Sequence, residues 1–308
     1  MRAVEIRHRT VYHYDRPVEL GPHRLLLWPR ESHEVRIEAQ TLELTPPAAV
    51  SWAQDVFGNT VATATFAAPT ELLTIRSFLR VSLAARPWPV FPVAATAIDF
   101  PFAYDGSDRR DLGALLEPDD GDGLAEGEDD GGGRIADWAR SFVAGPRTDT
   151  LSLLKDLAAG VGALSYHERH DAGYRSPAAT LACGAGSCRD FAVLFVDAAR
   201  RLGFGARLVS GYLFQPELEG VGSTAAGSMH AWAEVYLPGA GWIAFDPTNR
   251  SVGGANLVPV AVARSMARAA PVSGSYAGLS EAATRMTVHV DVRAVGPNAG
   301  ADELPASA

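Results

Sequence analysis

Apolar and polar residues alternate along the chain with two different periods, and the change of period divides it. Within the first 83 residues the period is two, which is typical of β-strands with one buried face. The alternation is clearest at 4–14, 35–44 and 72–83, and turn-forming residues separate these runs. The pattern predicts an all-β N-terminal domain over 1–83, a small sandwich or open antiparallel sheet. A similar run at 284–294 predicts a strand that packs with this domain.

A connector is predicted over 84–132. Prolines recur in its first part, and eight carboxylates without a basic residue follow between Glu117 and Asp130. Because 117–133 contains only two apolar side chains, it has too little to bury, and we expect a solvated, mobile loop. A calcium-binding loop is the alternative, but the carboxylates lack the alternating spacing that such a loop requires.

Beyond residue 132 the apolar period is 3.6 and later returns to two. Apolar stripes predict helices near 135–143 and 154–161, and Ser176-Pro177 predicts the start of a short helix that Gly184 ends. Runs at 206–214, 230–237 and 242–245 predict strands, and a Pro-Gly-Ala-Gly turn joins the last two. These elements predict an α+β core over 133–260. The remaining 261–308 is predicted to be a C-terminal segment with a flexible tail.

Cys188 is one of only two cysteines, and it lies at a predicted helix start. Ser187 and Asp190 form a capping-box pattern, and the residues that follow keep helical apolar spacing. A thiol in the first turn faces unpaired N–H groups and the positive end of the helix dipole, which favours the thiolate. We therefore interpret Cys188 as a nucleophile; the alternative is a small buried hydrophobe. Cys183 has no such setting and is predicted to be structural.

A thiol nucleophile needs a base, and the base needs an orienting group. His230 begins one strand of the predicted hairpin and Asp246 ends the other. If Leu237 pairs with Gly241, the two side chains are diagonal neighbours on one face; if it pairs with Trp242, they lie on opposite faces. A Cys–His–Asp triad therefore predicts the first register. Taken singly, His230 could be a structural histidine and Asp246 a turn cap.

Composition narrows the remaining function classes. The net charge is −9, but the acidic loop carries nearly all of it, and no basic cluster suggests nucleic-acid binding. Two cysteines cannot build a disulfide framework, the N-terminus has no signal-peptide pattern, and prolines break the longest apolar stretch. These features predict a cytoplasmic protein without a membrane segment. Two cysteines five positions apart, without a second pair, make a poor zinc pattern, so we expect no metal and no cofactor. The oligomeric state stays open.

Three motifs in order resemble the core of the transglutaminase-like superfamily, in particular its bacterial members. They are GSCRDFAVLF, then HAWAEVYL, then GWIAFDPTN. The N-terminal stretches HRTVYHYDRPVELGPHRLLLWPR and WAQDVFGN resemble the β domain that precedes this core in bacterial members. The resemblance covers most of the chain, apart from the acidic loop and the last residues.

The resemblance implies a papain-like fold, in which a helix carrying the cysteine packs on an antiparallel sheet carrying the other two residues. It implies a nucleophile at Cys188, a general acid and base at His230, and an orienting carboxylate at Asp246. The implied activity is acyl transfer or hydrolysis at amide bonds of a peptide or protein substrate through a thioester. Whether the outcome is proteolysis, deamidation or crosslinking stays open. A second oxyanion donor is expected from the region of Tyr166, and a non-catalytic interaction protein on the same scaffold is the alternative.

Overall fold

A computed structural model of the protein describes residues 1–118, 132–169, 173–215, 227–277 and 284–295. The predicted mobile acidic loop lies almost entirely outside these residues, as does the predicted flexible tail. The helices are α1 Gly106–Leu112, α2 Gly132–Arg140, α3 Thr150–Gly162, α4 Pro177–Cys183 and α5 Cys188–Arg201. The strands of the N-terminal portion are β1 Arg2–Leu20, β2 His23–Leu25, β3 Val35–Thr45, β4 Ala48–Gln54, β5 Thr60–Phe66 and β6 Thr70–Leu83.

Twelve further strands follow in the described residues. They are β7 Asp99–Phe100, β8 Thr148–Asp149, β9 Ser165–Tyr166, β10 Ala185–Gly186, β11 Ala206–Phe214, β12 Gly227–Leu237, β13 Gly241–Asp246, β14 Ser251–Val252, β15 Leu257–Ala263, β16 Val272–Ser273, β17 Tyr276–Ala277 and β18 Thr284–Val295. The fold is therefore α+β, with an all-β N-terminal portion, as the sequence predicts.

Two antiparallel sheets form the N-terminal portion. One has the order β17-β1-β6-β3, with β18 also paired to β1, and the other has the order β16-β2-β5-β4. Tyr14, Leu25, Leu73 and other apolar side chains from both sheets share one buried cluster, so the arrangement is a sandwich. Strand β18 pairs with β1 over twelve residues, from Ala3–Val295 to Tyr14–Thr284. The C-terminal strand thus lies in the N-terminal sheet.

The core is a further antiparallel sheet with the order β14-β13-β12-β11-β15, and α5 packs against β12 and β11. Phe195 of α5 stacks on Phe245 of β13, with ring centroids 5.5 Å apart. The apolar stripe of α5 and the alternating apolar face of β12 belong to one buried cluster. This packing holds the start of α5 near the ends of the central strands.

Strand and helix bounds refine the predicted division of the chain. Strand β15 runs from Leu257 to Ala263, so the boundary predicted at 260 falls inside a strand of the core sheet, and its ladder to β11 keeps the strand in one unit. Helix α1 lies within the predicted connector, where Asp105 caps it by accepting hydrogen bonds from the N–H groups of Ser107 and Asp108. Helix α2 ends at Arg140, so the last three residues of the helix predicted near 135–143 lie outside the observed helix. In the described ranges, none of the helices combines the length and the apolar character needed to cross a membrane.

Candidate active site

Cys188 is the first residue of α5, directly after the N-cap Ser187. The Asp190 carboxylate accepts hydrogen bonds from the Ser187 N–H at 2.8 Å and the Ser187 hydroxyl at 3.0 Å. The predicted capping box is present, because the Ser187 side chain also faces the backbone N–H of Asp190. The residue before this capping box is Gly186, and a side chain does not fit there. An added Cβ would lie 2.9 Å from Cβ of Asp190 and 3.1 Å from the Phe191 ring.

Asp190 also fixes the segment that faces the helix start. Its side chain has no exposed surface, and it accepts hydrogen bonds from the backbone N–H of Arg175 at 2.6 Å and from the Arg169 guanidinium at 3.2 Å. A carboxylate buried this fully is stable only when its oxygens are paired in this way. Asp190 thus holds Cys188 indirectly, by fixing both the helix turn and the chain beside it.

The hairpin register brings His230 and Asp246 together. Leu237 pairs with Gly241 and Ala233 with Phe245, which is the register that a triad requires. Gly239 and Gly241 both have positive φ, at 82° and 73°, and so provide the odd-length turn. The Asp246 Oδ2 atom lies 2.8 Å from Nε2 of His230, with both side chains buried. The predicted pairing is confirmed, and the hairpin does not adopt the alternative register.

Asp246 is held by the turn that follows it. Its Oδ1 accepts the backbone N–H of Thr248 at 3.0 Å, and its Oδ2 accepts the side-chain amide of Asn249 at 2.7 Å. Burial raises the pKa of this carboxyl, but the hydrogen bonds and charge of His230 and the bonds from Asn249 outweigh it, so the pKa is lowered. Asp246 therefore caps a turn and also orients the histidine.

The ionisation of Cys188 and His230 is coupled. Burial raises the pKa of the thiol, yet the hydrogen bond and charge of His230 and the N–H of Ala231 outweigh burial, and the pKa falls below its ordinary value. Burial lowers the pKa of His230, but Asp246 and Cys188 outweigh this effect and raise the pKa to about 10. The favoured state is a thiolate–imidazolium pair. Since Nε2 faces Asp246, Nδ1 is the ring nitrogen left for the sulfur.

Tyr166 lies beside the helix start. Strand β9 pairs in parallel with β10, which places Tyr166 opposite Gly186, two residues before the cysteine. Its ring packs edge-on against Phe191, 6.2 Å between centroids, and about half of the residue is exposed. Burial raises the pKa of the phenol to about 12, helped by the negative charge of Cys188. The hydroxyl therefore stays protonated and can donate a hydrogen bond.

Cys183 ends α4 and is exposed. The thiol is therefore not a buried core side chain, and its structural role stays a prediction. Among the residues that the structure describes, no group of three or more His, Cys, Asp or Glu side chains is arranged to hold a metal ion. The predicted calcium alternative lies outside the described residues.

Two family models match the chain, and between them they span both parts of the fold. The model described as the bacterial transglutaminase-like N-terminal region matches residues 4–82. The model described as the transglutaminase-like superfamily matches residues 136–247. The chain joins a bacterial transglutaminase-like N-terminal region to a transglutaminase-like core. The matched core includes Cys188, His230 and Asp246.

The chain is also similar to a curated protein in sequence and to a solved structure in fold. An uncharacterised protein of Mycobacterium leprae (strain TN), ML0607, is 36% identical over 107 residues, which are 35% of this chain and 37% of that protein. The chain thus matches little more than a third of that relative's length. The crystal structure of a candidate cysteine protease from Cytophaga hutchinsonii superposes with a TM-score of 0.69 at 20% identity, covering 96% of this chain and 91% of that one. This likeness shows that the transglutaminase-like chain and the Cytophaga hutchinsonii protein share a fold.

A lower likeness is found to LapG of Legionella pneumophila, with a TM-score of 0.32 at 18% identity over 43% of this chain and 71% of that chain. It carries no argument about this protein.

Some residues at the transglutaminase-like site were not identified from the sequence. Asn249 follows Asp-Pro-Thr directly, and an amide three residues after a turn-capping aspartate is a signal that could have found it. The contacts of Asp190 with 169 and 175 join segments that are distant in sequence. No periodic pattern indicates such contacts.

Proposed function

We propose that the protein is a cysteine-dependent enzyme that transfers or hydrolyses acyl groups at amide bonds of peptides or proteins. The observation that carries the proposal is the coupled set of Cys188, His230 and Asp246, with its 2.8 Å hydrogen bond and opposite pKa shifts. A buried histidine between a carboxylate and a thiol at a helix start is the arrangement that activates a sulfur nucleophile. The match of the transglutaminase-like superfamily model to residues 136–247 supports the same function.

The first half-reaction forms a thioester. The Cys188 thiolate attacks the carbonyl carbon of a substrate amide, and a C–S bond forms as the carbonyl oxygen becomes an oxyanion. His230 then gives its Nδ1 proton to the departing nitrogen, and the C–N bond breaks. Asp246 keeps the ring oriented and stabilises the imidazolium throughout.

The oxyanion needs hydrogen-bond donors. The backbone N–H of Cys188 lies in the first turn of α5, where such groups have no intrahelical acceptor, and it can donate to the oxyanion. Tyr166 supplies the second donor in this proposal, because its hydroxyl is protonated and its strand runs beside the residues that precede the cysteine.

The second half-reaction resolves the thioester. Neutral His230 takes a proton from the acceptor, the acceptor attacks the carbonyl carbon, and the C–S bond breaks to regenerate the thiolate. Water as acceptor gives hydrolysis, that is, proteolysis or deamidation according to the bond attacked. A primary amine gives crosslinking. The proposal covers this reaction class, and the acceptor is the variable that the experiment measures.

The test incubates the protein with glutamine-containing peptides, with and without a fluorescent primary amine, and follows the products by mass spectrometry. Peptide fragments report proteolysis, an increase of about 1 Da reports deamidation, and incorporated fluorophore reports amine transfer. Any of these products should disappear in Cys188→Ala and persist in Cys183→Ser, which removes the exposed thiol instead.

If none of the peptides is a substrate, the reactivity of the Cys188 thiol still tests the proposal. Iodoacetamide should alkylate Cys188 rapidly at pH 6 in the wild type. A thiol no faster than free cysteine at that pH, together with no product from any peptide, would contradict the proposal and favour a non-catalytic scaffold.

A further inference from the structure

One contact between the N-terminal portion and the core sheet lies on the edge strand β15, where Asn59 bonds to Val262. Its side-chain amide donates to the carbonyl of Val262 at 2.7 Å and accepts the Val262 N–H at 2.9 Å. Asn59 has no exposed surface. A side chain therefore takes the place that a neighbouring strand would have on this edge. Since both partners are buried, breaking either bond leaves an unpaired polar group.

The loop that carries Asn59 is held rigidly. Asp55 accepts hydrogen bonds from the backbone N–H groups of Phe57 and Asn59 and from the Asn59 side chain, all at 2.9–3.0 Å. Arg30 donates to the Phe57 carbonyl at 3.0 Å and to Asn59 Oδ1 at 2.7 Å. Gly58 completes the turn at φ 70°. A loop tied this closely places the Phe57 ring with little freedom.

Phe57 packs on the outer face of the core sheet. The apolar side chains of this face are Val209, Leu213, Trp232, Leu257 and Val262, and the Phe57 ring lies against the cluster that they form. Trp232 is 1% exposed and is the largest member. The N-terminal portion therefore covers the face on which Trp232 lies.

Trp232 in turn contacts the catalytic histidine. Its ring stacks on that of His230, with centroids 6.2 Å apart and planes 22° apart. On the adjacent strand Gly211 lies opposite His230, and an added Cβ there would come within 2.7 Å of Trp232 Cη2. Trp232 is thus confined by the backbone at Gly211 on the adjacent strand and by the apolar cluster that Phe57 covers. Any shift of the indole changes the surface against which the imidazole stacks.

We propose that Phe57 and Asn59 are positioning residues of the active site: they fix Trp232, and through it the ring of His230. This inference rests on the proposed function, because it assigns the N-terminal portion a role in that site. In this view the N-terminal portion does more than stabilise the core. It sets the orientation of Trp232, a side chain that the core sheet by itself leaves uncovered on one face.

The experiment measures the rate of Cys188 alkylation by iodoacetamide from pH 5 to 10 in the full-length protein. Phe57→Ala and Asn59→Ala are the test variants, and Val56→Ala is the matched control, because Val56 lies in the same loop but is 89% exposed. All variants carry Cys183→Ser so that a single thiol is read. Thermal unfolding of each variant establishes that it is folded at the assay temperature.

We expect Phe57→Ala to slow alkylation at pH 6 by about 10-fold and to move the acid limb of the profile toward higher pH, since a misplaced imidazolium stabilises the thiolate less. Asn59→Ala should move the profile in the same direction, and Val56→Ala should leave it unchanged. A purely structural role would lower the unfolding temperature without moving the profile. If Phe57→Ala does not fold, Phe57→Leu replaces it, with a smaller shift in the same direction.

A double variant tests the route through Trp232. If Phe57 acts through the indole, Phe57→Ala combined with Trp232→Phe should shift the profile no further than Trp232→Phe alone. Folded Phe57 variants with the wild-type profile would overturn the positioning role while leaving the proposed function intact. A wild type that lacks fast alkylation at pH 6 would instead contradict the proposed function.

Discussion

Oδ2 of Asp246 lies 2.8 Å from Nε2 of His230, across a hairpin whose three-residue turn sets the register. The same carboxylate accepts three hydrogen bonds from the turn that follows, so the turn fixes its direction independently of His230. A rigid carboxylate that holds one ring nitrogen leaves the other for the thiol.

Asp246→Asn should lower the turnover of any peptide substrate by roughly 10²- to 10⁴-fold, because the amide stabilises the imidazolium less and can select the wrong tautomer. The same variant should slow Cys188 alkylation at pH 6. Asp137→Asn is the control, since the Asp137 side chain is 83% exposed and lies on α2. Equal alkylation rates in Asp246→Asn and Asp137→Asn would contradict the orienting role.

The pH dependence of turnover should be bell-shaped. The acid limb reports protonation of the Cys188 thiolate at its lowered pKa, and the alkaline limb reports loss of the His230 proton, whose pKa is raised to about 10. Activity should therefore persist well below about pH 8.5, where a free thiol is mostly protonated. Kinetics from pH 4 to 11 measure both limbs. An acid limb at the ordinary thiol value would argue against the ion pair.

Tyr166→Phe should lower the turnover number by roughly 10- to 100-fold if the hydroxyl donates to the oxyanion. The variant retains the ring that packs on Phe191, so its unfolding temperature should match the wild type. Alkylation of Cys188 should change little, because that reaction forms no oxyanion. Wild-type turnover in a folded Tyr166→Phe variant would assign the second donor to another group.

Gly211→Ala should destabilise the protein by several kcal/mol, because the new Cβ would lie 2.1 Å from the Val258 carbonyl oxygen and 2.7 Å from Trp232. Gly133→Ala offers a contrast in α2, where an added Cβ would meet no atom within 4 Å and alanine favours the helix. Urea unfolding compares the two. Similar free energies of unfolding for both variants would be inconsistent with close packing at Gly211.

His8 should make the protein less stable in acid. It is buried, with Nδ1 2.9 Å from the Tyr212 hydroxyl and Nε2 2.8 Å from Thr10 Oγ1, and burial lowers its pKa to about 4. The unfolded chain protonates this histidine more readily than the folded protein does. The contribution of neutral His8 to the free energy of unfolding is therefore fully present above about pH 6.5, and it falls by about 3 kcal/mol as the pH drops to about 4.

The measurement for His8 is urea unfolding between pH 4 and 7. His8→Gln should remove most of the loss over this range, whereas His13→Gln, an exposed position on the same strand, should retain it. The same slope in all three proteins would show that other groups cause the acid sensitivity.

Local patterns were sufficient for much of the fold and for the identity of the candidate residues. The capping box at Ser187 and the helical stripe after it depend on neighbouring residues only, and α5 begins where they indicate. The strands of the core also follow from period-two runs, because alternation is a property of a single strand. The location of Cys188 at a helix start could therefore be predicted from the sequence.

Tertiary structure decided the relationships between segments. The sequence allowed two registers for the hairpin, and only the folded sheet shows that Leu237 pairs with Gly241 and so brings His230 to Asp246. The bond from Asn59 to Val262 spans 203 positions, a separation that no periodicity encodes. The physical reason is that periodicity reports which face of an element is buried, whereas packing and backbone pairing determine what that face meets.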